Sequence, residues 1–391
     1  MYDVAYPFVE GGGQRRLWEV GTRLADEGHT VDWVSFQSWE GAACKGNING
    51  INYIGLPGYH GLYQKDGSRR RIEPLEFLFA LWTSKIRFSD YDCIWSGQWP
   101  MAHFVWWLLW PRSIGTTRLV VDWWEIWGAT WFRYSRLVGW LGYALERTLV
   151  KLLASRGTLV LVAPSALRKA RLMSPDGNME LIHNGIDLDF FLRQEQIART
   201  WDVVSLGRLK NHKRIDLLLY ALDYLNRCHG LRLTTVIVGD GPEKDALMHL
   251  AEKLNLTKQV YFAGAVASNE DAYGFLRSSK VFVNPSTKEG GGSITVLEAF
   301  ASGLPVLAFD CPDGIDPELV QDGFAGKLVR TVSSEALGDA LREIFCDERQ
   351  MRHLQAGALE CSLDFDWAKI SRSYYELFFC ETKPSLNTLD K

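Results

Sequence analysis

Two basic residues, Arg208 and Lys213, lie in the segment GRLKNHKRI, soon after the apolar run DVVSL. The apolar run predicts a strand and the residues after the cations predict an amphipathic helix, so both cations lie in a strand-to-helix turn. Fixed cations beside a helix N-terminus bind phosphate groups and can stabilise the charge of a leaving diphosphate without a metal. We interpret Arg208 and Lys213 as a catalytic diphosphate site; the alternative is two solvated surface charges.

A glycine-rich turn follows a later predicted strand, in the segment KEGGGSITVLEAFASGLPV. Glu289 precedes the glycines, and Glu298 lies within the helix predicted after them. We expect Glu289 to hydrogen-bond sugar hydroxyls and Glu298 to hydrogen-bond the ribose of a nucleotide; the alternative for Glu298 is a surface charge on the helix. Glycines expose backbone N–H groups to an anion. The donor-binding turn that we predict consists of Gly290, Gly291, Gly292 and Ser293.

The first half of the chain offers weaker candidates. Gly12 and Gly13 stand immediately before a predicted helix and form a second candidate anion site, with a flexible loop as the alternative. Glu125 ends the predicted strand LVVDWW, where a carboxylate can act as a general base or position a substrate. Asp122 is its rival, and a structural ion pair is an open alternative for either residue. His183 is a less favoured catalytic candidate, because ordering of a linker is the commoner role.

Metal and dinucleotide chemistry have little support in the sequence. Three Asp-x-Asp triplets begin at Asp90, Asp187 and Asp364, and their scatter suggests chance rather than a cation site. The segment GDGPEKD lacks the third glycine of a dinucleotide fingerprint, which argues against a dehydrogenase. We therefore expect no metal and no cofactor.

The elements that position these residues alternate between strands and helices along the whole chain. This alternation predicts an α/β fold of two Rossmann-like, doubly wound parallel-sheet domains, with boundaries at residues 1–164 and 165–365. The carboxyl ends of both sheets are expected to face a cleft between the domains, where the active site would lie. The pattern also demands an apolar strand before the first glycine run, and MYDVAY is a poor one, which favours a trimmed gene start.

Composition restricts the partners and the compartment. The net charge of −4 gives no reason to expect nucleic acid. The seven cysteines form no CxxC pair and no metal-ligand spacing, so we expect free thiols and a cytoplasmic location. No apolar run is long enough to span a bilayer, and no signal peptide is recognisable.

Most of the sixteen tryptophans lie between Trp82 and Trp140, in company with many arginines. One interpretation is an amphipathic surface that contacts lipid headgroups, which would place the protein peripherally at the inner face of the plasma membrane. The other is that the tryptophans fill the core and the arginines are solvated. The sequence leaves both open.

Taken together, the segments GGGQRR, LIHNGID, SLGRLKNHKR, VGDGPEKDAL, NPSTKEGGGSITVLEAFASGLPV and IDPELVQDGFAGKLV resemble the retaining glycosyltransferases of family 4. The resemblance covers nearly the whole chain and implies the GT-B fold. It also implies a nucleotide-sugar donor held by the second domain, a hydroxyl acceptor held by the first, and transfer with retention and without metal. A lipid-linked or polysaccharide precursor would suit as acceptor. Residues 366–380 resemble the family's last helix, which returns to the first domain, and residues 381–391 form a tail that we expect to be disordered.

By position, Arg208 and Lys213 resemble the family's diphosphate-binding pair, Glu289 its sugar-contacting glutamate and Glu298 its ribose-binding glutamate. Gly12 and Gly13 resemble the N-terminal loop that meets the diphosphate. Two features depart from the family's pattern. The two glutamates are separated by eight residues rather than seven, and Trp124 stands where many members have a histidine.

These departures keep other functions open. A nucleotide-sugar epimerase or a glycogen-synthase-like chain elongator would use the same two-sheet architecture, and an epimerase would need no acceptor. A nucleotide-sugar-binding scaffold or pseudoenzyme would bind the donor without transferring its sugar. The sequence does not identify the base, the sugar, the acceptor or the linkage.

Overall fold

The computed structural model describes residues 1, 4–9, 11–39, 45–61, 70, 72–109, 117–134, 136–193, 197–266, 268–289 and 292–380. Its strands are β1 (Val31–Phe36), β2 (Lys45–Ile48), β3 (Ile51–Leu56), β4 (Cys93–Gly97), β5 (Arg118–Trp123), β6 (Thr158–Leu161), β7 (Met179–Leu181), β8 (Trp201–Leu206), β9 (Thr235–Val238), β10 (Val260–Gly264), β11 (Ser279–Asn284), β12 (Val306–Phe309) and β13 (Gly326–Val329).

Its α-helices are α1 (Gly12–Asp26), α2 (Glu73–Thr83), α3 (Ala102–Leu109), α4 (Trp131–Tyr134), α5 (Arg136–Arg156), α6 (Pro164–Met173), α7 (Leu188–Arg193), α8 (Ile215–Tyr224), α9 (Lys244–Lys253), α10 (Asn269–Arg277), α11 (Ile294–Ala301), α12 (Pro317–Val320), α13 (Ser334–Cys346), α14 (Glu348–Ser362) and α15 (Trp367–Phe379).

The chain divides into two compact units, one of Met1–His183 with Trp367–Lys391 and the other of Asn184–Asp366. The first unit therefore extends to His183, past the boundary at residue 164 that the sequence predicts. The reason is β7, which pairs in parallel with β6 and adds a further strand to the sheet of the first unit. The predicted tail, residues 381–391, lies outside the described residues.

The described residues of the first unit form two sheets, whereas the sequence predicts one. A three-stranded sheet has the order β1-β3-β2, and a four-stranded parallel sheet has the order β4-β5-β6-β7. Strand β2 is antiparallel to β3, and the turn between them is formed by Asn49 and Gly50, both at positive φ. An Asn-Gly pair is a strong hairpin signal, because both residues tolerate the left-handed conformation.

Helix α15 belongs to the first unit, although it is the last helix of the chain. Its apolar residues share one buried cluster with α1 and with the strands beneath: Trp367, Ile370, Tyr374, Leu377, Val20, Leu24, Val120 and Val160. Burial of aromatic side chains of this size stabilises the attachment of α15 strongly.

The second unit is a six-stranded parallel sheet with the order β10-β9-β8-β11-β12-β13. Neighbouring residues along a strand enter different cores: Val203 and Ile237 pack on one face, and Val204 and Val236 pack on the other. Because both faces are covered by helices, the strands are apolar throughout, as parallel strands generally are. This is the doubly wound sheet that the sequence predicts, and the turns at the carboxyl ends of β8 and β11 carry the candidate donor residues.

Among the described residues, no helix combines the length and the apolar character that crossing a bilayer requires.

Candidate functional site

The loop that carries Arg208 is fixed by a neighbouring glycine turn. The N–H of Gly207 donates to Val238 O at 3.0 Å, and the N–H of Leu209 donates to Asp240 O at 2.8 Å. A Cβ atom on Gly239 would lie 2.0 Å from Gly207 O, and Gly239 has φ +136. Glycine at this position of GDGPEKD therefore permits the close approach of two loops. The segment has a structural role, although it is not a dinucleotide fingerprint.

Arg208 is exposed at the end of β8, and within the described part of the chain its side chain has no hydrogen-bond or ion-pair partner. A small cavity beside it is lined by Ser205, Gly207, Lys213 and Asn284. An exposed guanidinium next to a second cation, at the carboxyl end of parallel strands, is suited to a bidentate contact with phosphate oxygens.

The turn that carries Lys213 is attached to the loop after β11. Residues Asn211–Lys213 form one 3₁₀ turn, and His212 O accepts hydrogen bonds from Thr287 N at 3.0 Å and from Ser286 Oγ at 3.1 Å. Burial, followed by the charge of Lys213, lowers the pKa of His212 below its ordinary value. These bonds bring two turns of neighbouring strands together.

Lys213 and Glu289 are joined by this arrangement, since Lys213 Nζ donates to Glu289 Oε1. The Glu289 side chain is 7% exposed and that of Lys213 is 22% exposed, so water screens this ion pair only partly. Backbone bonding also holds the glutamate, whose N–H donates to Asp313 O at 2.9 Å. The residues predicted to bind diphosphate and sugar thus neutralise each other in this structure.

The glycine-rich turn is described only in part. Gly290 and Gly291 lie outside the described residues. Gly292 O accepts a hydrogen bond from Asn184 Nδ2 at 2.8 Å. Asn184 belongs to the segment LIHNGID, and its role in holding this turn was not predicted.

Helix α11 begins after Ser293 and places Glu298 in its interior. Ser293 Oγ lies 2.9 Å from Thr295 Oγ1. Glu298 is 7% exposed, and its Oε1 accepts a hydrogen bond from Tyr273 OH at 3.0 Å. The alternative interpretation of Glu298, a charge on the helix surface, is wrong because the side chain is buried. Its predicted contact with ribose remains a prediction.

In the first unit, Gly12 and Gly13 are the first residues of α1 rather than a loop before it, because the N–H of Arg15 donates to Gly11 O at 2.9 Å and closes the first helical turn. The first N–H groups of a helix have no acceptor within the helix, so anion binding by these two residues remains a prediction. A Cβ atom on Gly13 would lie 2.7 Å from the ring of Trp124. The tryptophan at the family's histidine position therefore packs directly over this helix terminus.

Glu125 is half-buried and held by its neighbours. Its Oε2 accepts a hydrogen bond from Trp127 Nε1 at 2.8 Å, and its backbone exchanges hydrogen bonds with the side-chain amide of Gln98. The structure thus fixes the position of Glu125, and its catalytic role remains a prediction.

Asp122 is not a candidate for catalysis. It is fully buried, accepts from Arg16 Nε at 3.1 Å and accepts from Tyr374 OH at 2.5 Å. Burial raises the pKa of Tyr374 well above its ordinary value. Asp122 therefore forms the structural ion pair that the sequence left open, and it joins α1, β5 and α15.

Sequence reasoning missed this network and one further buried acid. Arg16 also donates to the backbone oxygens of Ile182 and His183, at the end of the unit's first stretch of chain. Glu146 is fully buried in α5 and accepts from the backbone N–H groups of Trp127 and Gly128 at 2.9 and 2.7 Å. Burial raises the pKa of Glu146. The sequence offered one signal for both residues: Arg16 and Glu146 are charged residues within the apolar stripe of a helix, a position that indicates burial.

Two of the predicted minor features have structural roles. His183 Nδ1 lies 3.1 Å from Val162 O, in agreement with an ordering role. Asp187, from the second Asp-x-Asp triplet, accepts a hydrogen bond from Phe190 N at 3.0 Å and so caps the short helix α7.

Family models match both halves of the chain. Residues 11–185 match the glycosyl transferase 4-like domain, and residues 189–359 match the glycosyl transferases group 1 domain. The chain belongs to the glycosyl transferases of group 1, whose structures have the GT-B fold.

Curated relatives are distant and only partly matched. An uncharacterized glycosyltransferase of Methanocaldococcus jannaschii is 23% identical over 249 residues, which is 61% of this chain and 62% of that protein. A D-inositol 3-phosphate glycosyltransferase of Nocardia farcinica is 32% identical over 183 residues, 45% of this chain and 40% of that one. The matches thus span about half the length of these relatives.

Two of the similar solved structures match nearly the whole chain. The sucrose-phosphate synthase of Thermosynechococcus elongatus is similar with a TM-score of 0.75 and 19% identity, over 94% of this chain and 93% of that one. HepE of Anabaena, solved in complex with UDP, is similar with a TM-score of 0.70 and 18% identity, over 96% and 97%. At these identities the similarity establishes the fold and leaves the substrates of this chain open.

Proposed function

We propose that this protein transfers a sugar from a nucleotide-sugar donor to a hydroxyl acceptor with retention at the sugar carbon, in the manner of family 4. The observation that carries the proposal is the exposed, unpartnered side chain of Arg208 beside the Lys213–Glu289 pair, all within the described part of the second unit. This arrangement offers two cations to a diphosphate and one carboxylate to a sugar.

The ion pair between Lys213 and Glu289 has a specific function in this proposal. In the absence of donor, each side chain satisfies the charge of the other. When the donor binds, Lys213 turns to the diphosphate, and Glu289 accepts hydrogen bonds from sugar hydroxyls. Before the donor binds, pairing with Lys213 avoids the free-energy cost of a partly buried Glu289 carboxylate without a counter-ion.

The proposed reaction is a displacement on one face of the sugar. The acceptor oxygen forms a bond to the anomeric carbon as the bond to the diphosphate oxygen breaks. The hydroxyl proton passes to an oxygen of the leaving phosphate. Arg208 and Lys213 stabilise the charge that grows on the diphosphate, which lowers the barrier because the interaction strengthens in the transition state. The proposal requires neither a metal nor a cofactor.

The first experiment is a thermal-shift screen against UDP, GDP, ADP and their common sugar conjugates, since a ligand that binds the folded state raises its apparent stability. We expect one nucleotide family to raise the Tm, and we expect Arg208→Ala to abolish that shift. Arg232→Ala is the matched control, because Arg232 is exposed in the same unit, near the amino end of β9. No shift with any nucleotide would contradict the proposal.

The stereochemistry is tested separately, by NMR of the glycoside formed from the donor that the screen identifies. Retention predicts that the product has the anomeric configuration of the donor, and inversion would contradict the assignment. Conversion of donor alone into another nucleotide sugar would instead identify an epimerase. Tight donor binding without transfer to any acceptor would identify a scaffold.

We also propose that the first unit binds the acceptor, and that it does so at a lipid surface. Some of its tryptophans belong to the core, since Trp107 and Trp123 are fully buried. Others are exposed together with apolar neighbours on two helices. On α2 these are Leu75, Phe79 and Trp82, and on α5 they are Trp140, Leu141 and Leu145.

Helix α5 also carries exposed cations, at Arg147 and Lys151. A helix that exposes both apolar and basic side chains can bind at the interface of an anionic bilayer. A lipid-linked sugar or polysaccharide precursor is the acceptor class that fits this location.

Vesicle co-sedimentation tests the lipid contact. We expect binding to vesicles of phosphatidylglycerol and weaker binding to vesicles of phosphatidylcholine. The double variant Phe79→Ser/Trp82→Ser should lose binding, and Leu172→Ser is the control, because Leu172 is 82% exposed on the separate helix α6. Equal binding by both variants, or none by the wild type at low salt, would contradict this part of the proposal.

A further inference from the structure

Glu146 is a fully buried carboxylate on α5, and among the described side chains no cation pairs with it. Its oxygens are satisfied by N–H groups instead. Oε1 accepts from Trp127 N at 2.9 Å, and Oε2 accepts from Gly128 N at 2.7 Å and from Trp131 Nε1 at 3.2 Å. A buried carboxylate costs free energy unless such bonds compensate for the lost water. The residues that Glu146 holds therefore indicate why an acid stands at this position.

The three donors belong to the turn that follows β5. Residues Gly128–Thr130 form one 3₁₀ turn that leads into α4. The first N–H groups of such a turn have no acceptors within it, and Glu146 supplies acceptors from another helix. The ring of Trp131 lies close against α5, since a Cβ atom on Gly142 would lie 2.3 Å from it. Gly142 and Glu146 are one helical turn apart on the same face of α5, which thus fixes the course of this turn.

Trp127 contacts two carboxylates. Its backbone N–H donates to Glu146, and its indole Nε1 donates to Glu125 Oε2 at 2.8 Å. The backbone of Glu125 is held separately, because the side-chain amide of Gln98 bonds to its C=O at 3.1 Å and to its N–H at 3.3 Å. Glu125 is therefore fixed at its backbone by Gln98 and at one carboxylate oxygen by Trp127, whose own backbone is held by Glu146.

The second carboxylate oxygen of Glu125, Oε1, has no hydrogen-bond partner among the described residues. The side chain is half-buried rather than enclosed. A carboxylate oxygen is an acceptor only, so Oε1 remains available to a hydroxyl group of a ligand. A side chain that is already fixed through its other oxygen loses little conformational freedom when it binds, which favours affinity and precise orientation.

We propose that Glu146 is a positioning residue of the acceptor site, and that through Trp127 it fixes the orientation in which Glu125 Oε1 accepts a hydrogen bond from a sugar acceptor. This inference rests on the glycosyl transfer proposed above. In that reaction the proton of the attacking hydroxyl passes to the leaving phosphate. Glu125 therefore takes no proton, and it binds a neighbouring hydroxyl of the same acceptor sugar. The acceptor class is a sugar with two hydroxyl groups close together.

The test measures transfer to octyl glucoside, octyl galactoside and octyl mannoside from the donor that the thermal-shift screen identifies. Glu125→Gln, Trp127→Phe and Glu146→Gln are expected to lower kcat/KM for the glycoside by about ten- to hundredfold, because small displacements of a positioning group cost this much. Phenylalanine keeps the backbone N–H of residue 127 and lacks the indole N–H. Tyr91→Phe is the matched control, since it removes a different bond to a carboxylate of the same unit, that of Asp32.

A double-mutant cycle separates positioning from a merely structural role. If Glu146 acts through Glu125, Glu146→Gln lowers kcat/KM in the wild-type background and has little further effect in the Glu125→Gln background. Trp127→Phe in the same two backgrounds repeats the comparison with the Glu146 carboxylate intact, so the cycle remains readable if Glu146→Gln unfolds the protein. Losses that multiply with that of Glu125→Gln would indicate a structural defect and overturn the proposal.

The Tm shift with nucleotide separates this inference from the proposed function. Every variant should keep the shift of the wild type, because the donor residues that we propose lie in the second unit. No shift in the wild type would contradict the proposed function, and this inference would fail with it. A wild type that shows the shift and transfers to none of the three glycosides would overturn this inference alone. So would unchanged kcat/KM in Trp127→Phe and Glu146→Gln.

Discussion

The amino group of Lys213 is hydrogen-bonded to the carboxylate of Glu289, although the two residues lie 76 positions apart in the sequence. They meet because β8 and β11 are neighbours in the sheet and because His212 O bonds to the loop after β11. The cation that we propose for the diphosphate and the carboxylate that we propose for the sugar therefore form an ion pair with each other before the donor binds. Removing either side chain should affect both binding and turnover.

Lys213→Ala is expected to lower kcat by about two to three orders of magnitude, as does the loss of one contact to the charge that grows in a transition state. The measurement is steady-state transfer with the donor that the thermal-shift screen identifies. Lys210→Ala is the matched control, because Lys210 is an exposed lysine of the same turn. Unchanged turnover in Lys213→Ala would contradict the proposed mechanism.

Gly239→Ala is expected to destabilise the second unit by about 2 kcal/mol or more, because the new Cβ would lie 2.0 Å from Gly207 O in a backbone conformation that disfavours alanine. Gly274→Ala is the control, since a Cβ there meets nothing within 4 Å. In the middle of α10, alanine should stabilise by about 0.5 to 1 kcal/mol. Urea unfolding of both variants measures the difference, and equal stabilities would contradict the close approach of the two loops.

Arg16→Leu is expected to cost about 3 to 5 kcal/mol, because it leaves the buried carboxylate of Asp122 without its cation. Arg23→Ala on the same helix is the control. Arg23 pairs with Glu19 at a partly exposed site, where an ion pair contributes about 1 kcal/mol or less. Thermal unfolding compares the two variants. A small effect of Arg16→Leu would show that the network does not hold α15 to the first unit.

Stability should depend on pH through His103, which lies beside Ser96 Oγ in the core of the first unit. Burial lowers the pKa of His103 to about 3, against an ordinary value of 6.5. Below pH 6.5 the unfolded chain therefore binds a proton that the folded chain does not, so acid lowers the free energy of unfolding. The expected slope is about 1.4 kcal/mol per pH unit between these two values.

His103→Gln should reduce that slope, and His249→Gln is the control substitution, because the His249 side chain is 81% exposed. Urea unfolding between pH 7 and 4 measures both. An unchanged slope in His103→Gln would contradict the burial of this imidazole as a neutral group.

Much of the second unit could be predicted from the sequence. Its strands are continuous apolar runs and its helices have clear amphipathic periods, so the doubly wound sheet was expected. The turns that carry Arg208, Lys213 and Glu289 and the helix that carries Glu298 were expected for the same reason. The first unit was predicted less well. The hairpin of β2 and β3 was missed despite Asn49 and Gly50, and β7 moved the boundary from residue 164 to His183.

The sequence by itself determined the order of the elements, the family and the residue types available for chemistry, because periodicity and turn chemistry are local properties of the chain. Only the tertiary structure decided which charges meet. It paired Lys213 with Glu289, buried Asp122 against Arg16 and Tyr374, and placed Trp124 over Gly13. These contacts depend on strand order and helix docking, which join distant segments through burial and hydrogen bonding, and no local pattern encodes them.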